Sequence, residues 1–185
     1  SQSDIFHSFR EYNPKMLSWI ENLKEGESAF QNTEKERIPH QIKDGKIVFN
    51  ESKNGDKYAR WYWDREGPCV HTRNDILSSQ NTVHPSENRV FSIREIMLMM
   101  SIPETFQWSN TSTEKLNNLS ILEKKMFLKQ EELNIRHCVG EAVPTGVFAN
   151  IAKHIKSVLN QKFLSTTEIN NIIKKEELSE TENLL

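Results

Sequence analysis

The pattern of apolar and polar positions changes character near residue 92. Ahead of it, apolar residues come in short runs. Pro14 suits a first helical position, and Met16, Leu17, Ile20 and Leu23 share one face, which predicts a helix over 14–24. Residues 25–45 read as polar and irregular. Lys46-Ile-Val-Phe49 reads as a strand, Asn54-Gly55 as a turn, and residues 57–63 as a second strand. Strict alternation there puts Tyr58, Arg60 and Tyr62 on one face and Ala59, Trp61 and Trp63 on the other. Residues 69–72 suggest a third short strand and 73–88 a polar loop.

From residue 92 the apolar period is helical. Ser92 and Glu95 form a capping box, with Ile93, Ile96, Met97 and Met100 on one face, until Pro103 stops the helix. A second box, Ser120 to Glu123, predicts a helix of about 12 residues carrying Leu122, Met126 and Leu133. Pro144 opens another, with Phe148, Ile151, Ala152, Ile155, Val158 and Leu159 on one face. Ser165 to Glu168 is a third box, heading a short polar helix before an acidic end. The expected class is α+β: a small β-rich lobe followed by helices. The Met-rich stretch 96–100 is expected in the core.

Composition narrows the possibilities. The 185 residues carry a net charge of -2, with 36% hydrophobic and 27% charged side chains. That balance excludes a protein that holds DNA by bulk charge alone. The longest apolar run, Ile96 to Met100, is too short to span a membrane. Without a basic-then-apolar signal pattern, a cytoplasmic, reducing setting is expected. Cys69 and Cys138 cannot make a disulfide framework, and the histidines show no ligand spacing, so no metal is expected. The charge is uneven: residues 35–94 hold eleven basic and eight acidic side chains, together with Tyr58, Trp61, Tyr62 and Trp63. Basic and aromatic residues together are a weak nucleic-acid signal, which a solvated sheet face also fits.

Two segments carry a sharper signal. Arg89-Val-Phe-Ser-Ile-Arg-Glu95, continuing to Ile102-Pro-Glu-Thr-Phe106, resembles the ninth signature motif of DNA (cytosine-5) methyltransferases. Val139-Gly-Glu-Ala-Val-Pro144, with the amphipathic helix after it, resembles the tenth, with Glu141 in place of the usual Asn. Lys57 to Trp61, Gly67 to Thr72 and His84-Pro85 resemble the stretch ahead of the ninth motif. The resemblance covers roughly residues 55–160.

It implies double-stranded DNA as partner, S-adenosylmethionine as cofactor, and a bacterial restriction–modification setting. The family's chemistry flips a cytosine out of the duplex and attacks it with a cysteine thiolate from a Pro-Cys-Gln loop, aided by a Glu. This sequence has neither that loop nor a Gly-rich cofactor turn. Pro68-Cys69 is followed by Val70, and Cys69 is expected as a small buried strand residue rather than a nucleophile. No catalytic residue is therefore assigned. The chain is expected to be the target-recognition and C-terminal portion of such an enzyme, inactive alone, with the cofactor bound mainly by an N-terminal catalytic domain or subunit. Residues 1–88 would be the recognition region (1–50 matching nothing recognisable), 89–164 the segment of the two motifs, and 165–185 a polar helix and acidic tail. A non-enzymatic DNA-binding module and an interaction subunit of a split enzyme are the alternatives.

The expected DNA-facing residues are Lys57, Arg60, Thr72, Arg73 and Asn74, with a surface salt bridge as the other reading of Arg60. Arg89, Arg94 and Glu95 are expected to organise the fold, and Gly140, Glu141, Ala142 and Val143 to lie beside the cofactor. Glu141 is expected at a helix N-terminus, where a carboxylate is tolerated. The apolar face of the helix after Pro144 would meet the catalytic domain, and alone it would drive self-association.

Overall fold

The computed structural model describes residues 4–50 and 55–160. The expected Asn54 turn residue and the box at Ser165 lie outside them. The architecture is α+β. Helix α1 (Pro14–Ile20) is followed by two 3-10 turns (Ala29–Gln31 and Lys35–Arg37), then β1 (His40–Lys43) and β2 (Lys46–Phe49). After a long irregular stretch come α2 (Ile93–Met99), α3 (Thr113–Asn117), α4 (Ile121–Glu141) and α5 (Thr145–Asn160). The chain divides into two compact units, Ser1–Gly146 and Val147–Leu185.

The helix starts follow the sequence closely. Pro14 occupies the first turn of α1, and the Asn13 side chain accepts the Met16 amide. Both expected capping boxes form, Ser92 with Glu95 and Ser120 with Glu123. Ile93, Ile96, Met97 and Met100 are buried as their spacing requires, and Leu98 on the far side is exposed.

The strands differ from expectation. β2 pairs antiparallel with β1, His40 opposite Phe49 and Lys43 opposite Lys46. The joining residues Asp44 and Gly45 have φ of 50° and 73°, the pair of left-handed conformations that a two-residue hairpin turn needs. The hairpin therefore closes through Asp44-Gly45, inside the stretch read as irregular. Residues 57–63 form no strand. Tyr58 has φ of 52°, which breaks the alternation, and Tyr58, Ala59 and Arg60 are all buried in succession. Instead the segment is held by single bridges, Ser28 with Ala59, Lys57 with Gln80 and Arg60 with Val83. Residues 69–72 form no strand either, and Cys69 is exposed rather than buried.

Helix α4 is 21 residues long, well beyond the expected length. Leu122, Met126 and Leu133 are exposed, and its buried residues are Ile135, Arg136 and Val139. Leu122, Met126 and Leu133 therefore do not mark its packed face, to which Phe127 and Leu128 contribute as half-buried neighbours of the core.

Two apolar clusters form the core of the first unit. One gathers Ile5, Phe6, Val70, Phe91, the buried face of α2, Leu116, Ile135 and Val139. The other gathers Trp19, Ile20, Leu23, Ala29, Tyr58, Leu77, Val83 and Val90. Val90 and Phe91 face opposite ways on extended backbone, so one step of chain serves both clusters. The N-terminal segment is part of this core. The Ser8 and Phe6 carbonyls accept the Ile93 and Arg94 amides at 3.0 and 2.8 Å, satisfying donors that the start of α2 leaves open.

Candidate functional site

The ninth-motif residues form one ion network. Arg89 is buried, and its guanidinium grips two carboxylates. It donates to Glu87 at 3.0 and 2.9 Å and to Glu95 at 2.8 and 2.8 Å, over the Phe9 ring. Glu95 also accepts the Ser92 amide at 2.7 Å, so a single carboxylate closes the cap and anchors Arg89. Arg94 reaches back to Asp4 at 2.7 and 3.2 Å, again tying the N-terminal segment to α2. The His84 ring is buried and accepts the Ser86 and Glu87 amides on Nδ1 at 3.3 and 3.1 Å. Burial and the Arg89 charge both hold its pKa down, which keeps it the neutral acceptor those amides require.

Burial alone would raise the Glu95 pKa. The Arg89 hydrogen bonds, the Ser92 amide and the charge of Arg89 outweigh it and bring the pKa to about 2. A folded-state pKa below the ordinary value of 4.5 contributes stability that is present above that value and lost as pH falls through the folded one. Unfolding midpoints in urea should therefore fall between about pH 4.5 and 2, and Glu95→Gln should flatten that fall. Equal slopes in both proteins would refute Glu95 as the source.

Arg60 is inside the protein. It is 4% exposed, and its two terminal nitrogens donate to the carbonyls of His84 (2.7 Å), Glu87 (2.9 Å) and Ile20 (2.8 Å) and to Asn88 Oδ1 (2.6 Å). It is neither a surface salt bridge nor presented to solvent; it ties the loop 84–88 to the end of α1. Asn74 is also buried. Its amide donates to the carbonyls of His71 (2.6 Å) and Arg136 (3.0 Å), and its Oδ1 accepts Arg136 Nη1 at 3.0 Å. Lys57 and Thr72 are half-buried and Arg73 is exposed, so the loop 71–75 presents Arg73 outward and locks Asn74 inward.

Arg136 is the residue that sequence reasoning missed. It is the largest fully buried side chain among the described residues. Its guanidinium donates to Asn74 Oδ1, the Phe91 carbonyl, the Ser8 carbonyl and Glu132, at 2.9 to 3.0 Å. Loop 71–75, the ninth motif, the N-terminal segment and α4 thus meet on one side chain. The only signal in the sequence is Glu132 one turn before it, a common surface pairing.

The tenth-motif residues lie at a helix end, not a helix start. Gly140 and Glu141 are the last two residues of α4, Ala142 is its C-cap, and α5 begins at Thr145. Glu141 therefore sits where the helix dipole disfavours an anion, with His137 one turn back at 3.4 Å. Gly140 packs on backbone: a Cβ there would lie 2.5 Å from the His71 carbonyl carbon and oxygen and the Thr72 Cα. Ala142 and Val143 are exposed. On α5, Phe148, Ile151, Ile155 and Leu159 are all exposed, a continuous apolar face. No group of three or more His, Cys, Asp or Glu among the described residues is placed to hold a metal ion. No helix among the described residues is long and apolar enough to cross a membrane.

Comparison with known proteins gives the lineage. No family model and no solved structure matches the chain. A Type II methyltransferase of Avibacterium volantium is 26% identical over 166 residues, covering 81% of this chain and 38% of its own length. A Type II methylase of Herpetosiphon aurantiacus is 27% identical over 105 residues, covering 57% of this chain and 25% of its own length. A DNA (cytosine-5)-methyltransferase of Arabidopsis thaliana is 34% identical over 69 residues, 37% of this chain and 5% of its own length. The chain spans well under half the length of each of these relatives. On the ordered pair of motifs and these alignments, the chain is a homologue of Type II and cytosine-5 DNA methyltransferases.

Proposed function

We propose that this chain is the target-recognition and C-terminal portion of a DNA cytosine-5 methyltransferase of a bacterial restriction–modification system. The observation that carries the reading is the ordered pair of motifs at 89–106 and 139–144, supported by relatives aligned over most of the chain. Residues 1–88 are the recognition region and 89–164 return the chain toward the cofactor domain. Lys57, Thr72 and Arg73 are the DNA-facing residues, and the buried Arg60 and Asn74 shape the loops that carry them. Residues 140–143 lie beside S-adenosylmethionine, which a separate catalytic segment binds for the most part. That segment brings the Pro-Cys-Gln nucleophile and the Gly-rich turn. The apolar face of α5 is its contact surface, and without it α5 self-associates.

The test mixes this chain with a catalytic segment from the same methylation system and labelled S-adenosylmethionine. Methyl transfer to duplex DNA is expected from the mixture and not from the 185-residue chain alone. Light scattering on the same samples should show self-association of the chain giving way to a heteromeric complex. Transfer by the chain alone would overturn the division of labour. A mixture that forms a complex yet binds DNA without transfer would favour a non-enzymatic recognition module.

A further inference from the structure

We propose that Arg10, Arg73 and Lys129 form a clamp for a backbone phosphate of duplex DNA, with Asp75 as the positioning residue that aims the two arginines. The proposal deepens the DNA-binding reading above and rests on it. The three cations come from parts of the chain distant in sequence: the N-terminal segment, loop 71–75 and α4. They line one open cleft of about 270 Å³ with Asp75, Leu128, Glu132 and Leu133.

The cleft is organised around Asp75. Its carboxylate is 2% exposed, and its two oxygens bind both arginines: Arg73 Nε at 2.9 Å and Nη2 at 3.3 Å, and Arg10 Nη1 at 3.2 Å. Its backbone carbonyl accepts the Tyr12 hydroxyl, which ties the main chain of the loop at this position. The arginine side chains are 51% and 59% exposed. One buried anion therefore holds two half-exposed cations, and both arginines line the cleft. Burial would raise the Asp75 pKa, but the Arg73 and Arg10 interactions outweigh it and keep the anion charged.

The charge left over is positive. Asp75 offsets one of the three cations, and Glu132 is already bound to Arg136 at 3.0 Å. An anion entering the cleft thus meets an excess of about two positive charges, and two of its three donors are already held by Asp75. The Nε–Nη2 edge of Arg73 is taken by Asp75, which leaves its Nη1–Nη2 end as the donor pair for a phosphate. A contact to a backbone phosphate is sequence-neutral: it fixes the register of the duplex against loop 71–75 and reads nothing itself.

The test uses the full chain and two labelled duplexes of unrelated sequence, with anisotropy titrations over a salt series. Lys129→Gln, which leaves the buried ion pairs intact, should weaken both duplexes by roughly three- to tenfold and lower the salt slope by about one. Asp75→Asn, confirmed folded by circular dichroism, raises the net charge, so a bulk-charge surface would bind more tightly; the clamp predicts weaker binding. Arg73→Lys should recover part of what Arg73→Gln loses. Unchanged affinity and slope in Lys129→Gln and Arg10→Gln, with wild-type binding intact, would overturn the clamp and leave the DNA reading standing. Loss on one duplex only would also overturn it. Failure of the wild-type chain to bind either duplex would remove both.

Discussion

Arg136→Ala is expected to cost about 3–5 kcal/mol of stability, the range for breaking a buried charged network by removing one partner. Stability of an ordinary domain is about 5–15 kcal/mol, so this one change removes a large share of it. Arg136 is fully buried. Its loss leaves Asn74 Oδ1 and the Phe91 carbonyl without their donor, the Ser8 carbonyl with the Ile93 amide alone, and Glu132 without its partner. Each orphaned acceptor costs about 1–3 kcal/mol where water cannot replace the donor. A cavity the size of the guanidinium adds to that. Arg136→Lys should recover little, because one ammonium cannot reach acceptors spread around a planar fork. The measurement is the urea midpoint of each variant, with loop 71–75 followed by proteolysis. A loss below about 1 kcal/mol for Arg136→Ala would mean that water enters and satisfies these groups.

That residue shows where reading the sequence stops. Features set by adjacent residues were legible: the Ser92 and Ser120 boxes, the start of α1 at Pro14, the buried face of α2 and the span of α5. Each depends on side chains three or four positions apart, so the pattern contains the cause. Features set by distant partners were not legible. Tyr58 takes a left-handed φ while residues around it bond to segments near 28, 77 and 83, and nothing local to 57–63 announces those partners. Arg60 and Asn74 have the chemistry of DNA readers, yet the carbonyls that claim them lie 24, 40 and 62 residues away. A polar side chain in a basic, aromatic stretch looks the same whether it faces a phosphate or a buried carbonyl. The hairpin is a different case: Asp44-Gly45 was as strong a local signal as Asn54-Gly55, and the polar residues around it hid it. Helix α4 outran its expected length because its fully buried residues, Ile135, Arg136 and Val139, lie beyond the apolar positions that follow its cap. Of the candidate site, Arg73 was legible as an exposed cation; its aiming by Asp75 and its neighbours Arg10 and Lys129 needed the fold.

Gly140→Ala separates a helix-end glycine kept for packing from one that is incidental. In a helix interior, alanine in place of glycine is favourable by about 1 kcal/mol, and it also reduces the freedom of the unfolded chain. Gly140 lies in α4 and shows no left-handed φ, so by local physics the substitution should stabilise. The packing reverses the sign. The added Cβ would sit 2.5 Å from the His71 carbonyl carbon and oxygen and from the Thr72 Cα. These are backbone atoms and no rotamer change moves them, so α4 or loop 71–75 must shift. Overpacking of this kind costs about 1–3 kcal/mol, and here it must first cancel the helical gain. The shift would also strain the Asn74 and Arg136 hydrogen bonds, which join the same two segments at 3.0 Å. Gly146→Ala is the matched control: its Cβ would meet the Ser101 Oγ at 3.0 Å, which can rotate away, and the Ser101 Cβ at 3.3 Å, which needs a shift of only a few tenths of an ångström. Thermal unfolding should therefore show Gly140→Ala destabilised by about 1–3 kcal/mol net and Gly146→Ala near neutral or slightly stabilised. If both variants gain stability, the close approach of α4 to residues 71–72 is not what keeps glycine at position 140. If only the first loses it, Gly140 serves the packing of α4 against loop 71–75.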